Sequence, residues 1–154
     1  MSLVLNGRSA FLAAEPRTTL LEALREGCGL TGAAACCEDG SCGSCTVLFD
    51  GEPLRACTLF ALQAHGADIV TVEGLADGES LSAVQRAFVE TDPFPCGACA
   101  AGFVVLTAGA LALDPDMDEA AIAELTAANV CRCGAYGAIR AAIRAAQAKL
   151  RTAG

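Results

Sequence analysis

Residues 37–45 read Cys37-Glu38-Asp39-Gly40-Ser41-Cys42-Gly43-Ser44-Cys45, and a fourth cysteine, Cys57, follows shortly after. Three thiols in so short a segment converge only if the backbone curls tightly. Gly40 and Gly43 permit that curl, because a residue without Cβ takes positive φ at little cost and lets backbone N–H groups approach sulfur. Working outward, Thr46 to Phe49 and a run from Glu52 toward Cys57 flank the turn Asp50-Gly51 and read as a β-hairpin that closes over the loop.

The spacing C-x4-C-x2-C with a distant fourth cysteine is that of a plant-type [2Fe–2S] site, where two irons take two thiolates each. Cys37, Cys42, Cys45 and Cys57 are the candidate ligands. A zinc site is the blander reading, but zinc usually takes paired C-x2-C knuckles.

Upstream, Leu3 to Leu5, Asn6-Gly7 and Ser9 to Leu12 read as a second hairpin. Thr19 and Glu22 stand at capping-box spacing ahead of Leu20, Leu21 and Leu24, a short amphipathic helix that ends at Gly27. Downstream, Leu59 to Ala64 is short and helical or irregular, and the β-branched run Ile69 to Val72 predicts a last strand. The small, acidic stretch Ala76 to Ser80 marks a domain boundary, giving domains over residues 1–76 and 77–154.

Beyond the boundary no strand is predicted. Helices are expected around Leu81 to Phe88, Ala101 to Leu113, Asp118 to Leu125 and Ala138 to Leu150, with Asp114-Pro115 stopping the second. Cys96-Gly97-Ala98-Cys99 and Cys131-Arg132-Cys133 each precede a longer helix, and facing loops could bring Cys96, Cys99, Cys131 and Cys133 together. Spacing alone leaves a structural zinc site and a second cluster equally open.

Composition narrows the function. The chain has 154 residues, 54% of them hydrophobic, enough for a sizeable core. Its 10 cysteines come without a secretory signal, which argues against a disulfide scaffold. That absence favours the cytoplasm, or export bound to a signal-bearing partner. A net charge of −8 argues against nucleic acid, and Gly102 to Leu113 is too short to span a membrane. There is no Walker loop, G-x-S-x-G or H-E-x-x-H.

Several residues stay outside these motifs. Cys28 and Cys36 read as small buried hydrophobes, and His65 as a surface loop residue. Arg132 could offset cluster charge or be a solvated cation. Tyr136 could cap its helix or face an interface. Asp114, Asp116, Asp118 and Glu119 read as a solvated loop between helices.

Taken in order, LLEALREGCGLT (20–31), CEDGSCGSCTV (37–47), Asp50-Gly51, Cys57, Val72-Glu73-Gly74-Leu75, Cys96-Gly97-Ala98-Cys99 and Asn129 to Gly134 (NVCRCG) resemble the small iron–sulfur subunit of xanthine oxidase-type molybdenum hydroxylases. The resemblance spans nearly the whole chain and decides the second site for [2Fe–2S]. It implies an α+β fold: an N-terminal β-grasp, plant-type ferredoxin-like domain followed by an all-α four-helix domain.

It also implies a role: electrons from a molybdenum–pterin cofactor in a large partner subunit reach the cluster on Cys96, Cys99, Cys131 and Cys133. They then pass to the one on Cys37, Cys42, Cys45 and Cys57, and out to FAD on a medium subunit or to another acceptor. By the same resemblance, Cys133 approaches the pterin, and this chain alone has no catalytic residue for substrate. Two departures stand out. The family usually has Gln before the first cysteine of the helical pair and Thr-Pro after the second, where this chain has Pro95 and Ala100-Ala101. The other readings are a free-standing ferredoxin-like carrier and a redox sensor working through Cys28 or Cys36.

Overall fold

The computed structural model describes residues 1–153. Strands β1 (Ser2–Leu5) and β2 (Arg8–Phe11) pair antiparallel around the Asn6-Gly7 turn, as the sequence predicts. The helix α1 (Leu20–Glu22) has the full capping box: Thr19 N–H donates to the Glu22 carboxylate at 2.7 Å, and Glu22 N–H donates to the Thr19 hydroxyl at 3.2 Å. It runs on as a π-helical turn over Ala23–Gly27, burying Leu20, Leu21 and Leu24.

Strands β3 (Thr46–Phe49) and β4 (Glu52–Arg55) form the second hairpin, and β5 (Asp68–Val70) lies between the two hairpins, parallel to β1 and antiparallel to β3. The sheet order is β2-β1-β5-β3-β4. The last strand is shorter than the predicted run to Val72. Thr71 leaves the ladder because its N–H donates to the Asn6 side chain and its hydroxyl to Glu73, and Val72–Leu75 coils into a 3-10 turn. Glu73 then accepts from Gly32 N–H at 2.8 Å, which ties this turn to the segment leading into the cysteine loop.

The second half is helical: α2 (Ala83–Thr91), α3 (Ala100–Leu113), α4 (Glu119–Ala127) and α5 (Tyr136–Ala153). Val84, Phe88, Phe103, Ile122, Ile139 and Ile143 form its core, and Val72 and Leu75 pack against that core from the first half. The acidic run is more structured than the solvated loop predicted. Asp118 caps α4, Asp116 pairs with Arg151 and Glu119 pairs with Arg144. These ion pairs are exposed and contribute little to stability.

Helix α3 organises the whole. It is apolar round most of its length because it is covered there by α2 and α4 and by the sheet through β3 and β4. Gly109 lies against Leu48 and Pro53, and Gly102 against the backbone of Gly43 and Ser44. No helix among the described residues is long and apolar enough to cross a membrane.

One feature of α3 is unfavourable. The Thr107 hydroxyl is buried without a hydrogen-bond partner among the described residues. Leaving such a group orphaned costs about 1–3 kcal/mol, so Thr107→Val is expected to raise the thermal midpoint by roughly 2–12 °C, read by circular dichroism.

Candidate metal centres

The loop from Cys37 to Cys45 is held from several sides. Arg25 donates to the carbonyls of Thr31 and Ala33 at 2.8 Å each, and Ala34 N–H donates to Ser44 O at 3.1 Å. Within the loop, Cys42 N–H donates to Cys37 Sγ and Ser44 N–H to Cys42 Sγ, both at 3.4 Å. Gly43 takes φ +76, and a Cβ there would sit 1.7 Å from Asn129 Oδ1, so no side chain fits. Cys57 reaches the loop from a 3-10 turn (Ala56–Thr58) that follows β4.

The four sulfurs pair off. Cys37 is hydrogen-bonded to the thiol of Cys42, and Cys57 to that of Cys45, all four being free thiols. Hydrogen bonds from the Ser41 side chain and the Cys42 N–H hold Cys37 down to about 6, so it is a thiolate near neutrality. Burial, together with the bond and charge of Cys45, pushes Cys57 up to about 12.

The second set pairs the same way. Cys96 and Cys133 lie with sulfurs 3.5 Å apart and exposed, whereas Cys99 and Cys131 are bonded to each other and buried. Burial and Cys131 push Cys99 up to about 12. Burial also acts to raise Cys131, but the N–H groups of Ala135 and Cys133 outweigh it and lower that thiol. The Ala98 N–H and the Cys133 thiol lower Cys96, and the same contact raises Cys133.

Each set therefore holds a thiol, Cys57 in the first and Cys99 in the second, that keeps its proton well above neutrality. Iron binding must expel those protons, which makes loading favour higher pH.

Two sulfur pairs suit a two-iron cluster, which takes one pair per iron. Among the described residues no three Cys, His, Asp or Glu side chains gather tightly enough round one point for a single metal ion. The donor sets thus fit [2Fe–2S] by number, chemistry and pairing.

The two sets face each other. A cleft of about 290 Å³ has Cys36, Cys37 and Cys42 on one side and Cys96, Cys99 and Arg132 on the other. Beneath it Val130 N–H donates to Cys42 O at 2.9 Å, and Asn129 Nδ2 donates to Gly43 O at 3.3 Å. Asn129, buried at 3% exposure, went unnoticed in the sequence as a site residue. Its signal was its place directly before Val130-Cys131.

Tyr136 does not cap its helix but turns back to the cysteine pair: its hydroxyl accepts the Cys131 N–H at 2.9 Å. Tyr136→Phe orphans that N–H and is expected to cost about 1–3 kcal/mol, seen as a lower thermal midpoint and faster iron loss from the helical half. Cys28 is half-buried against the first core, but Cys36 is exposed, contrary to the buried position predicted. His65 is exposed, and its Nδ1 accepts Ser2 N–H at 3.3 Å.

Comparison with known proteins agrees with this arrangement. Residues 3–68 match the 2Fe-2S iron-sulfur cluster binding domain family, and residues 71–144 the [2Fe-2S] binding domain family. The chain is therefore an iron–sulfur protein with two [2Fe–2S] binding domains, ferredoxin-like and then helical.

Among its relatives, the nicotinate dehydrogenase small FeS subunit of Eubacterium barkeri is 38% identical over 144 residues, 94% of this chain and 92% of that one. The crystal structure of quinoline 2-oxidoreductase from Pseudomonas putida 86 has a chain that superposes with a TM-score of 0.91 at 42% identity, covering 98% of this chain and 95% of that one. Aldehyde oxidoreductase from Desulfovibrio gigas superposes at 0.92 and 33% identity over 99% of this chain, which matches 17% of that longer chain. The chain belongs to the small [2Fe–2S] subunits of the molybdenum hydroxylases, and its role is electron transfer within an oxidoreductase complex.

Proposed function

We propose that Cys96, Cys99, Cys131 and Cys133 hold an inner [2Fe–2S] cluster, and Cys37, Cys42, Cys45 and Cys57 an outer one, the two divided between residues 77–154 and 1–76. When bound, each cluster accepts and returns single electrons with little rearrangement of its protein ligands. The protein's own part is to set direction and distance.

Cys96 and Cys133 present sulfur at the surface, where a large subunit carrying a molybdenum–pterin cofactor would dock. Cys99 and Cys131 are buried. From Cys131 a continuous path runs through Val130, across its hydrogen bond to Cys42 O and along Cys42 to its sulfur. That Val130–Cys42 hydrogen bond between the two cysteine loops is the observation that carries the reading. From the outer cluster electrons would leave to FAD on a medium subunit or another acceptor.

Purification of the tagged chain from its host tests this reading. A molybdenum-containing chain is expected to co-purify in fixed proportion. A monomer free of molybdenum, with its clusters intact, would instead establish a free-standing carrier.

A further inference from the structure

Arg55 lies in β4, two residues before Cys57, and none of the motifs uses it. Its Nη1 donates to Gly40 O at 2.5 Å and its Nη2 to Ala128 O at 2.6 Å. Gly40 is in the outer cysteine loop, and its N–H also bonds Cys57. Ala128 is the C-cap of α4, the residue from which the chain proceeds through Asn129 and Val130 to Cys131. One guanidinium thus spans both halves beside both cysteine sets.

The choice of arginine follows from this geometry. A planar fork with donors on separate nitrogens can hold two carbonyls at once, which a lysine ammonium does less well, and bonds from a charged donor are stronger than neutral ones. A cation at a helix C-terminus also complements the exposed carbonyls and dipole there. Among the described residues no carboxylate forms an ion pair with Arg55, so its charge is not neutralised locally.

We propose that Arg55 is a positioning residue: it clamps the outer cysteine loop to the end of α4, fixes the Val130–Cys42 contact, and with its charge raises the reduction potential of the outer site. Gly43–Asn129 and Val130–Cys42 are neutral contacts across the same seam, and Arg55 is the charged one that holds them in register. The proposal rests on the two-cluster reading above.

The full-length chain in its complex, as wild type, R55K and R55Q, is reduced with dithionite and examined by electron paramagnetic resonance, redox titration and iron analysis. Two signals in the wild type establish the two clusters first, so the variants then bear on the clamp alone. R55Q is expected to lose or narrow the splitting from magnetic interaction between the reduced clusters and to shift the outer potential downward. R55K is expected to narrow the splitting while keeping the outer potential near wild type, since it retains charge without the fork.

Wild-type splitting and potential in an iron-replete R55Q overturn the proposal. If R55Q does not retain iron, R55K decides: a narrowed splitting at full iron content supports the clamp, and an unchanged one overturns it. An R55K potential displaced downward at full iron content overturns the assignment of the shift to charge.

Discussion

Gly102→Ala is expected to lower the thermal midpoint by roughly 5–10 °C and to loosen iron from the outer site, although the change adds one methyl group to a helix. A Cβ at Gly102 would lie 2.3 Å from Gly43 O and 2.9 Å from Ser44 Cα. Both are backbone atoms of the cysteine loop, so no side chain can rotate away. Either α3 shifts on the sheet or the loop opens. The same substitution at Gly137 in α5, where nothing lies within 4 Å, is the control. There alanine is expected to be neutral or stabilising by up to about 1 kcal/mol, the ordinary helix preference. Thermal melting and iron analysis of the two variants separate close packing from propensity.

The second large effect is chemical. Cys131→Ala is expected to remove the inner cluster, halve the iron content and leave the complex unable to pass electrons to its outer acceptor, while the outer signal survives. Cys131 bonds Cys99 and stands one residue from the Val130 hydrogen bond, so its loss removes a ligand and the start of the path together. Cys36→Ser is the matching control. Cys36 neighbours Cys37 but is exposed, and among the described residues pairs with no other thiol, so iron content and both signals are expected to be unchanged. Metal analysis and reduced-state spectra of the two variants read the difference.

What was legible beforehand were features encoded over short stretches. Asn6-Gly7 and Asp50-Gly51 mark their hairpins, Thr19 and Glu22 form their capping box, and the cysteine spacings announce metal chemistry. The hidden parts depend on residues far apart in sequence. Arg55 meets Ala128 across 73 positions and Asn129 meets Gly43 across 86, and neither pairing leaves a local pattern. The end of β5 departs from the sequence expectation for a similar reason. Its β-branched run favours a strand as far as Val72, but Asn6 and Glu73 compete for Thr71 and win. Helix α3 was recognisable as apolar, whereas its place between sheet and helices follows from Gly102 and Gly109, whose missing side chains matter only once their neighbours are known.

The loop at residues 37–45 is thus half of a two-part device. Its glycines let sulfurs converge, but Gly43 also makes room for Asn129, and the Cys42 carbonyl receives Val130 from the segment that carries Cys131.

The central claim, two clusters held by two sets of four cysteines, is tested most directly by iron and sulfide analysis together with electron paramagnetic resonance of the dithionite-reduced full-length chain. About four irons and about four acid-labile sulfides per chain, with two distinct [2Fe–2S] signals, are expected. A single signal with about two irons, or zinc in place of iron at Cys96, Cys99, Cys131 and Cys133, would contradict it.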